Sequence, residues 1–185
     1  MKKFKTLLLG SLGLAVLLTT GSTVFAESDD TTQGDIVFTR GSIDIGGPDG
    51  QSAPSIDFGI HTITSGDRTY DGTPSSPVTV TDNRGTEEGW SVTVRQSTEF
   101  TQDTHTLAGS EIRIGNIAGA ATTTGSNLIL SPSEATSIVA GADSGSGAGV
   151  NHFDLESIVL HIPAGVNTMV GAYQADLVWT VLTTP

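Results

Sequence analysis

Apolar and polar residues alternate with a period of two in four stretches of this chain, and no dozen-residue window carries a helical period. Trp90, Val92 and Val94 fall on one face, opposite Ser91, Thr93 and Arg95. Ile112 and Ile114 alternate with Glu111 and Arg113, while Ile158, Leu160 and Ile162 share a face that Pro163 ends. The longest series, Tyr173, Ala175, Leu177, Trp179 and Val181, stands opposite Gln174, Asp176 and Thr180. Successive side chains of a strand point to opposite faces, so each series describes a strand with one buried and one solvated face. Val178 interrupts the polar face of the last series, which implies partial cover there by a loop or a partner. Clusters of Gly, Pro, Ser, Asp and Asn separate the series, and short strands between turn signals predict an all-β fold, an antiparallel β-sandwich in a single domain. Ile36 to Thr39, Ser55 to Ile63 and Val78 to Thr81 are weaker strand candidates; Asp71 to Pro77 and Thr86 to Gly89 read as loops by turn chemistry. Gly141 to Gly149 reads as a flexible loop, because no helix start follows it to make a phosphate cradle.

The N-terminal residues predict export. Lys2, Lys3 and Lys5 precede an apolar run from Leu7 to Leu18, and Val24-Phe25-Ala26 ends it in a small-x-small pattern. This is the layout of a secretory signal peptide over residues 1–26, cut between Ala26 and Glu27. An uncleaved anchor fits less well, since the apolar run is about 12 residues against the ~20 a spanning helix needs. Residues 27–33 carry no apolar side chain and read as a flexible acidic tail, which leaves 34–185 for the sandwich domain.

Charge and composition then narrow the partners. All three lysines lie in the signal peptide, so the exported chain keeps five arginines against twenty acids, a net charge of about −15. Such a field repels phosphate backbones and anionic lipid, which argues against nucleic acid and against membrane insertion after signal cleavage. There is no cysteine, which excludes disulfides, zinc–thiolate sites and thiol catalysis. The chain ends at Pro185 after a strand-like segment with no Leu-Pro-x-Thr-Gly sorting sequence, so a non-covalent contact is expected to hold it at the cell.

Two tryptophan segments stand out in a chain with few aromatics. The first is Asp82-Asn83-Arg84-Gly85-Thr86-Glu87-Glu88-Gly89-Trp90-Ser91-Val92; the second runs from Tyr173 through Leu177, Trp179 and Val181 to Pro185. The pair resembles the signature of the WxL domain, found on Gram-positive surfaces, and the likeness covers the whole exported chain. Val92 and Val181 stand where the family has leucine; valine keeps the inward apolar position and favours strands. If the leucine touches ligand, valine weakens or shifts binding. The resemblance implies a non-enzymatic surface protein that binds peptidoglycan, located at the cell wall, and that associates with companion WxL-interacting proteins. Because teichoic acids are also anionic, binding is expected from short-range contacts and to hold or improve with added salt. A protein-interaction module whose wall contact lies in a partner is the alternative, and an exported glycan hydrolase a more distant one.

The candidate ligand-binding residues are Trp90, Trp179, Arg84 and Tyr173, each with a plainer reading beside it. Trp90 and Trp179 suit the apolar face of a sugar, but their alternation with Val92, Val94, Leu177 and Val181 puts them on the core face, the reading geometry favours. Arg84 could donate to a peptidoglycan carboxylate, or pair with Asp82 or Glu87 to order the loop before Trp90. His152, Asp154 and Glu156 share a strand face and have the chemistry of a divalent site, but a solvated polar edge explains them more simply. His61, His105 and His161 have no convincing partners in sequence. Neither Gly-x-Ser-x-Gly, His-Glu-x-x-His nor a P-loop occurs, and no cofactor or metal is expected.

Overall fold

The computed structural model describes residues 33–47, 50, 52–119 and 123–183. The predicted signal peptide, most of the predicted acidic tail, Thr184 and Pro185 lie outside the described residues. The chain divides into Met1–Val37 and Phe38–Pro185, and every described strand belongs to the second unit. Among the described residues there is no helix, and thirteen strands follow in order. They are β1 (Ile43–Gly46), β2 (Ile56–Asp57), β3 (Arg68–Pro74), β4 (Val78–Asp82), β5 (Trp90–Gln96), β6 (Thr101–Gln102), β7 (His105–Thr106), β8 (Glu111–Gly119), β9 (Thr123–Thr124), β10 (Ser126–Leu130), β11 (Ser137–Ala142), β12 (Gly149–Ile162) and β13 (Leu177–Thr183).

All pairings are antiparallel. The larger sheet has seven strands around β12, which bonds β4 along its first half, β3 along its second, and β8 along its other edge. The outer positions go to β1 beside β4, β2 beside β3, and β10 beside β8. A smaller sheet runs β13-β5-β11-β9, and β6 and β7 make a short hairpin. Val78, Val80, Ile112, Ile114, Phe153 and Leu160 from the larger sheet and Trp90, Val92, Val94 and Val139 from the smaller meet in one apolar cluster. The alternation read at Trp90, Ile112 and Ile158 therefore marks core-facing positions, as expected. In β13 the same alternation is only half-buried, because this strand is bonded to β5 alone.

Three sequence expectations change. Asp71 to Pro74 belong to β3 instead of a loop: Gly72 and Asp71 face Ile158 and Val159 of β12, and long-range pairing overrides local turn chemistry. Gly72 is needed there, since a Cβ would lie 2.6 Å from the Phe58 ring and 2.9 Å from Ile56 and Ile158. Of Ser55 to Ile63 only Ile56–Asp57 pair; the Asp57 carboxylate then accepts from the Gly59 amide (2.8 Å) and Gly59, at φ +80°, turns the chain away. Ile36 to Thr39 form no strand. The glycine loop is also better ordered than expected. β11 extends to Ala142, and Glu87 O accepts from Gly145 N (2.9 Å) and Ser144 Oγ (2.8 Å).

The long β12 reverses its faces midway. Phe153 and Leu155 point into the core, then Ile158, Leu160 and Ile162 do, so the inward positions move from odd to even numbers. Its partner β8 makes the same change between Ile114 and Ile117, which keeps the pairing in step: Leu155 faces Ile117 and Ile158 faces Ile114. The reversal sits at Ser157, at φ +55°, against Gly115, where a Cβ would lie 3.0 Å from the serine Cβ. A β-branched residue at this left-handed position is strained. Ser157→Val is therefore expected to lower stability by about 1–3 kcal/mol in urea unfolding. Asp154→Val, exposed on the same strand with ordinary geometry, is expected to stay within about 0.5 kcal/mol.

Candidate functional site

The first tryptophan segment folds on itself. In the turn Asp82-Asn83-Arg84-Gly85, glycine takes φ +65° and the Asp82 carboxylate accepts from the Arg84 amide at 3.1 Å. The Arg84 side chain, 3 % exposed, meets the same carboxylate through Nε (2.9 Å) and Nη2 (2.8 Å). It also donates to Glu88 Oε2 (3.1 Å), Glu88 O (2.9 Å) and Gly89 O (3.3 Å). The ordering carboxylates are thus Asp82 and Glu88; Glu87 instead holds the glycine loop through its carbonyl. Arg84 donates to Asp82, which holds that carboxyl below the usual carboxylate range despite its burial, and the Asp82 contact raises Arg84 in turn. The clamp delivers the chain to Trp90, 1 % exposed, whose ring packs edge-on to Phe153 (5.8 Å between centroids) and whose Nε1 donates to Gly147 O at 3.1 Å.

The second segment leads to an open groove of about 1380 Å³. One wall is the stretch around β2, with Phe58 and His61; the other is the run from Thr168 to Leu177; Leu107, Ile112, Leu160 and Ile162 lie beneath. Tyr173 and Trp179, both half-buried, line it together with Tyr70. His61 stacks on Tyr70 with centroids 4.0 Å apart and planes at 22°, and donates through Nε2 to Phe58 O. The Tyr173 hydroxyl accepts from the Met169 amide at 2.9 Å, and Gln102 Nε2 donates to Val170 O at 3.1 Å, which fixes the second wall. Thr101 and Gln174 exchange backbone hydrogen bonds of 2.9 and 3.1 Å, tying that wall to β6. Ile60, Ile63, Met169 and Val170 stand exposed at the rim. The structure therefore divides the four sequence candidates: Trp179 and Tyr173 line a shared groove, while Trp90 and Arg84 lie in the interior on the other side of the motif.

The polar row on β12 is solvated. His152, Asp154 and Glu156 are exposed; His152 Nδ1 hydrogen-bonds Thr79 Oγ1 (2.9 Å) and Glu156 accepts from Asn116 (2.9 Å). Among the described residues no three His, Asp or Glu side chains are grouped to hold a metal ion. Sequence reasoning missed the groove's other contributors, Phe58, His61, Arg68 and Tyr70. The His61–Tyr70 stack joins residues that carried no motif, and Arg68 sat in sequence as one unremarked arginine.

A protein-family model for the WxL domain, described as surface cell wall-binding, matches residues 26–185. The chain belongs to the WxL family. Neither a curated protein nor a solved structure matches it. Membership makes this WxL chain part of a cell-wall-binding surface family, which is not a family of enzymes. The two halves of the WxL signature thereby acquire separate structural roles, one closing the core and the other furnishing a groove wall.

Proposed function

We propose that this chain is an exported Gram-positive surface protein, a single β-sandwich released from its signal peptide, that binds peptidoglycan non-covalently and without catalysis through the aromatic groove. The observation that carries this reading is the aromatic lining of one groove, half-buried Tyr70, Tyr173 and Trp179 with the exposed His61 stacked on Tyr70, on a chain of a wall-binding family. Ring faces of this kind pack on the apolar faces of sugars, and a concave site with a few fixed polar groups is the usual form of a ligand site. An exported chain with twenty acids and five arginines is repelled by wall polyanions, so short-range contact has to supply the affinity.

The test is sedimentation with protease-treated sacculi stripped of teichoic acid. The protein is expected in the pellet at low and high salt alike, and Trp179→Ala to raise the apparent Kd at least tenfold while costing less stability than Trp90→Ala and leaving the chain folded. Protein left in the supernatant, or a Trp179→Ala variant that pellets like wild type, would sink the groove as the wall contact.

A second reading is an adaptor that docks on WxL-interacting proteins, which then make the wall or host-matrix contact. It is favoured by Val178 and Leu182, exposed on the outer face of β13. Val178→Asp and Leu182→Asp are expected to leave pelleting with bare sacculi intact; a wild-type chain that pellets only when a membrane-anchored companion is supplied, and variants that fail to pellet even then, would favour this second reading.

A further inference from the structure

Resting on the groove reading above, we infer that Arg68 makes the groove a subsite for one free carboxylate of a muramyl peptide. The argument begins with the arginines. Arg40 meets Glu88, Arg84 meets Asp82 and Glu88, and Arg113 meets Glu111, all at 2.8 to 3.1 Å. Arg95 is exposed to water. Arg68 alone among the described arginines is both interior, at 8 % exposure, and without a carboxylate.

Its position at the start of β3 puts it on the groove lining. Nη1 donates to Thr64 O and Nη2 to Thr168 Oγ1 (3.2 Å), while Nε has no partner. A guanidinium has five N–H donors and does not deprotonate in proteins, so burial cannot be relieved by losing the charge. The neighbouring Asp67 is turned away, its carboxylate against His161 Nε2 at 3.0 Å. A buried cation left without a counter-ion is unfavourable in the free protein, and an anion that completes it binds correspondingly better.

The chemistry of that anion follows from the surroundings. The guanidinium fork matches a planar carboxylate, and one buried cation balances one negative charge. A teichoic-acid chain would bring a row of phosphates to a protein already rich in acid, with no further arginine or lysine among the described groove residues to meet them. A muramyl peptide presents what the walls fit: sugar faces for Tyr70, Tyr173 and Trp179, small apolar side chains for the aliphatic floor, and isolated carboxylates. Arg68 would then determine which wall chemistry the groove accepts, because amidation of the peptide removes the charge without changing its shape.

The experiment is calorimetric titration of the exported protein at pH 7 with a soluble muramyl pentapeptide, once with free carboxylates and once with all of them amidated. A glycerol phosphate oligomer serves as the phosphate probe. The free acid is expected to bind at least tenfold more tightly than the amide, and the oligomer not to bind. Arg68→Gln is expected to abolish the acid preference while still binding the amidated peptide, and Arg68→Lys to restore part of it. Equal affinity of acid and amide for wild type overturns the carboxylate subsite, whatever the variants do, and leaves the groove standing if Trp179→Ala weakens both. Tighter binding of the glycerol phosphate oligomer overturns it in favour of phosphate. Binding to sacculi without binding to either peptide removes the subsite and keeps the wall reading, whereas absence of both removes the two together.

Discussion

Trp90→Ala is expected to lower the free energy of unfolding by about 3–5 kcal/mol, a large share of the 5–15 kcal/mol typical of such domains. The indole is the largest wholly interior side chain, with Phe153 against its ring and Gly147 O on its nitrogen. Truncation leaves a cavity between the sheets and a carbonyl with one donor fewer, and the site has little room to collapse. The glycine loop packs directly on the ring as well. Gly147 stands at φ +78°, and a Cβ on it would lie 2.6 Å from the indole nitrogen. The comparison with Trp179→Ala separates the two tryptophans of the signature: urea unfolding should register the first change and pelleting with sacculi the second. A Trp90→Ala protein as stable as wild type would contradict the placement of this ring.

Arg84→Ala is expected to be nearly as costly, about 3–5 kcal/mol, because it strands the Asp82 carboxylate in the interior. Asp82→Asn should also destabilise, since it leaves Arg84 with one fewer charge to balance it. The pair predicts a pH dependence as well. Asp82 titrates lower in the folded chain than its ordinary value, because Arg84 donates to its ionised form. Its contribution is thus fully present above the unfolded-state pKa of about 3.9 and is lost as pH falls through the depressed folded value. The urea midpoint should hold steady from pH 7 to about pH 5 with respect to this group and decline below about pH 4. The decline should be shallower in Asp82→Asn. An unchanged pH profile in that variant would assign the acid sensitivity to other carboxylates.

Much of the sheet structure was legible because inward positions in a strand recur every second residue. Trp90, Val92 and Val94, or Ile158, Leu160 and Ile162, need no partner to be recognised. What escaped was any feature set by pairing across distance. β3 looked like a turn because Asp71, Gly72 and Pro74 suit turns, and only β12 alongside makes them a strand. β12 itself looked like separate pieces, since its apolar residues change parity at Ser157; a left-handed serine facing a glycine has no signature in one strand alone. Of the candidate site, Tyr173 and Trp179 came from the family signature. The opposing wall did not, because Phe58, His61, Arg68 and Tyr70 acquire meaning only when two stretches about a hundred residues apart are brought face to face. Arg68 is the sharpest case: an arginine becomes informative through the absence of a counter-charge, which a linear sequence cannot display.

The hub position of β12 also sets a timetable for the nascent chain. Without it, the larger sheet is three unconnected pairs: β1 with β4, β2 with β3, and β8 with β10. The chain leaves the ribosome N-terminus first, and the strand that joins these pairs begins to emerge only at residue 149. A polypeptide appears at about 5–20 residues per second, so the earlier strands wait for seconds with bonding edges and apolar faces open. No cysteine is present to lock an early arrangement covalently. Synthesis thus yields a late-closing molecule: it stays threadable for most of its emergence and becomes compact only when its last fifth arrives.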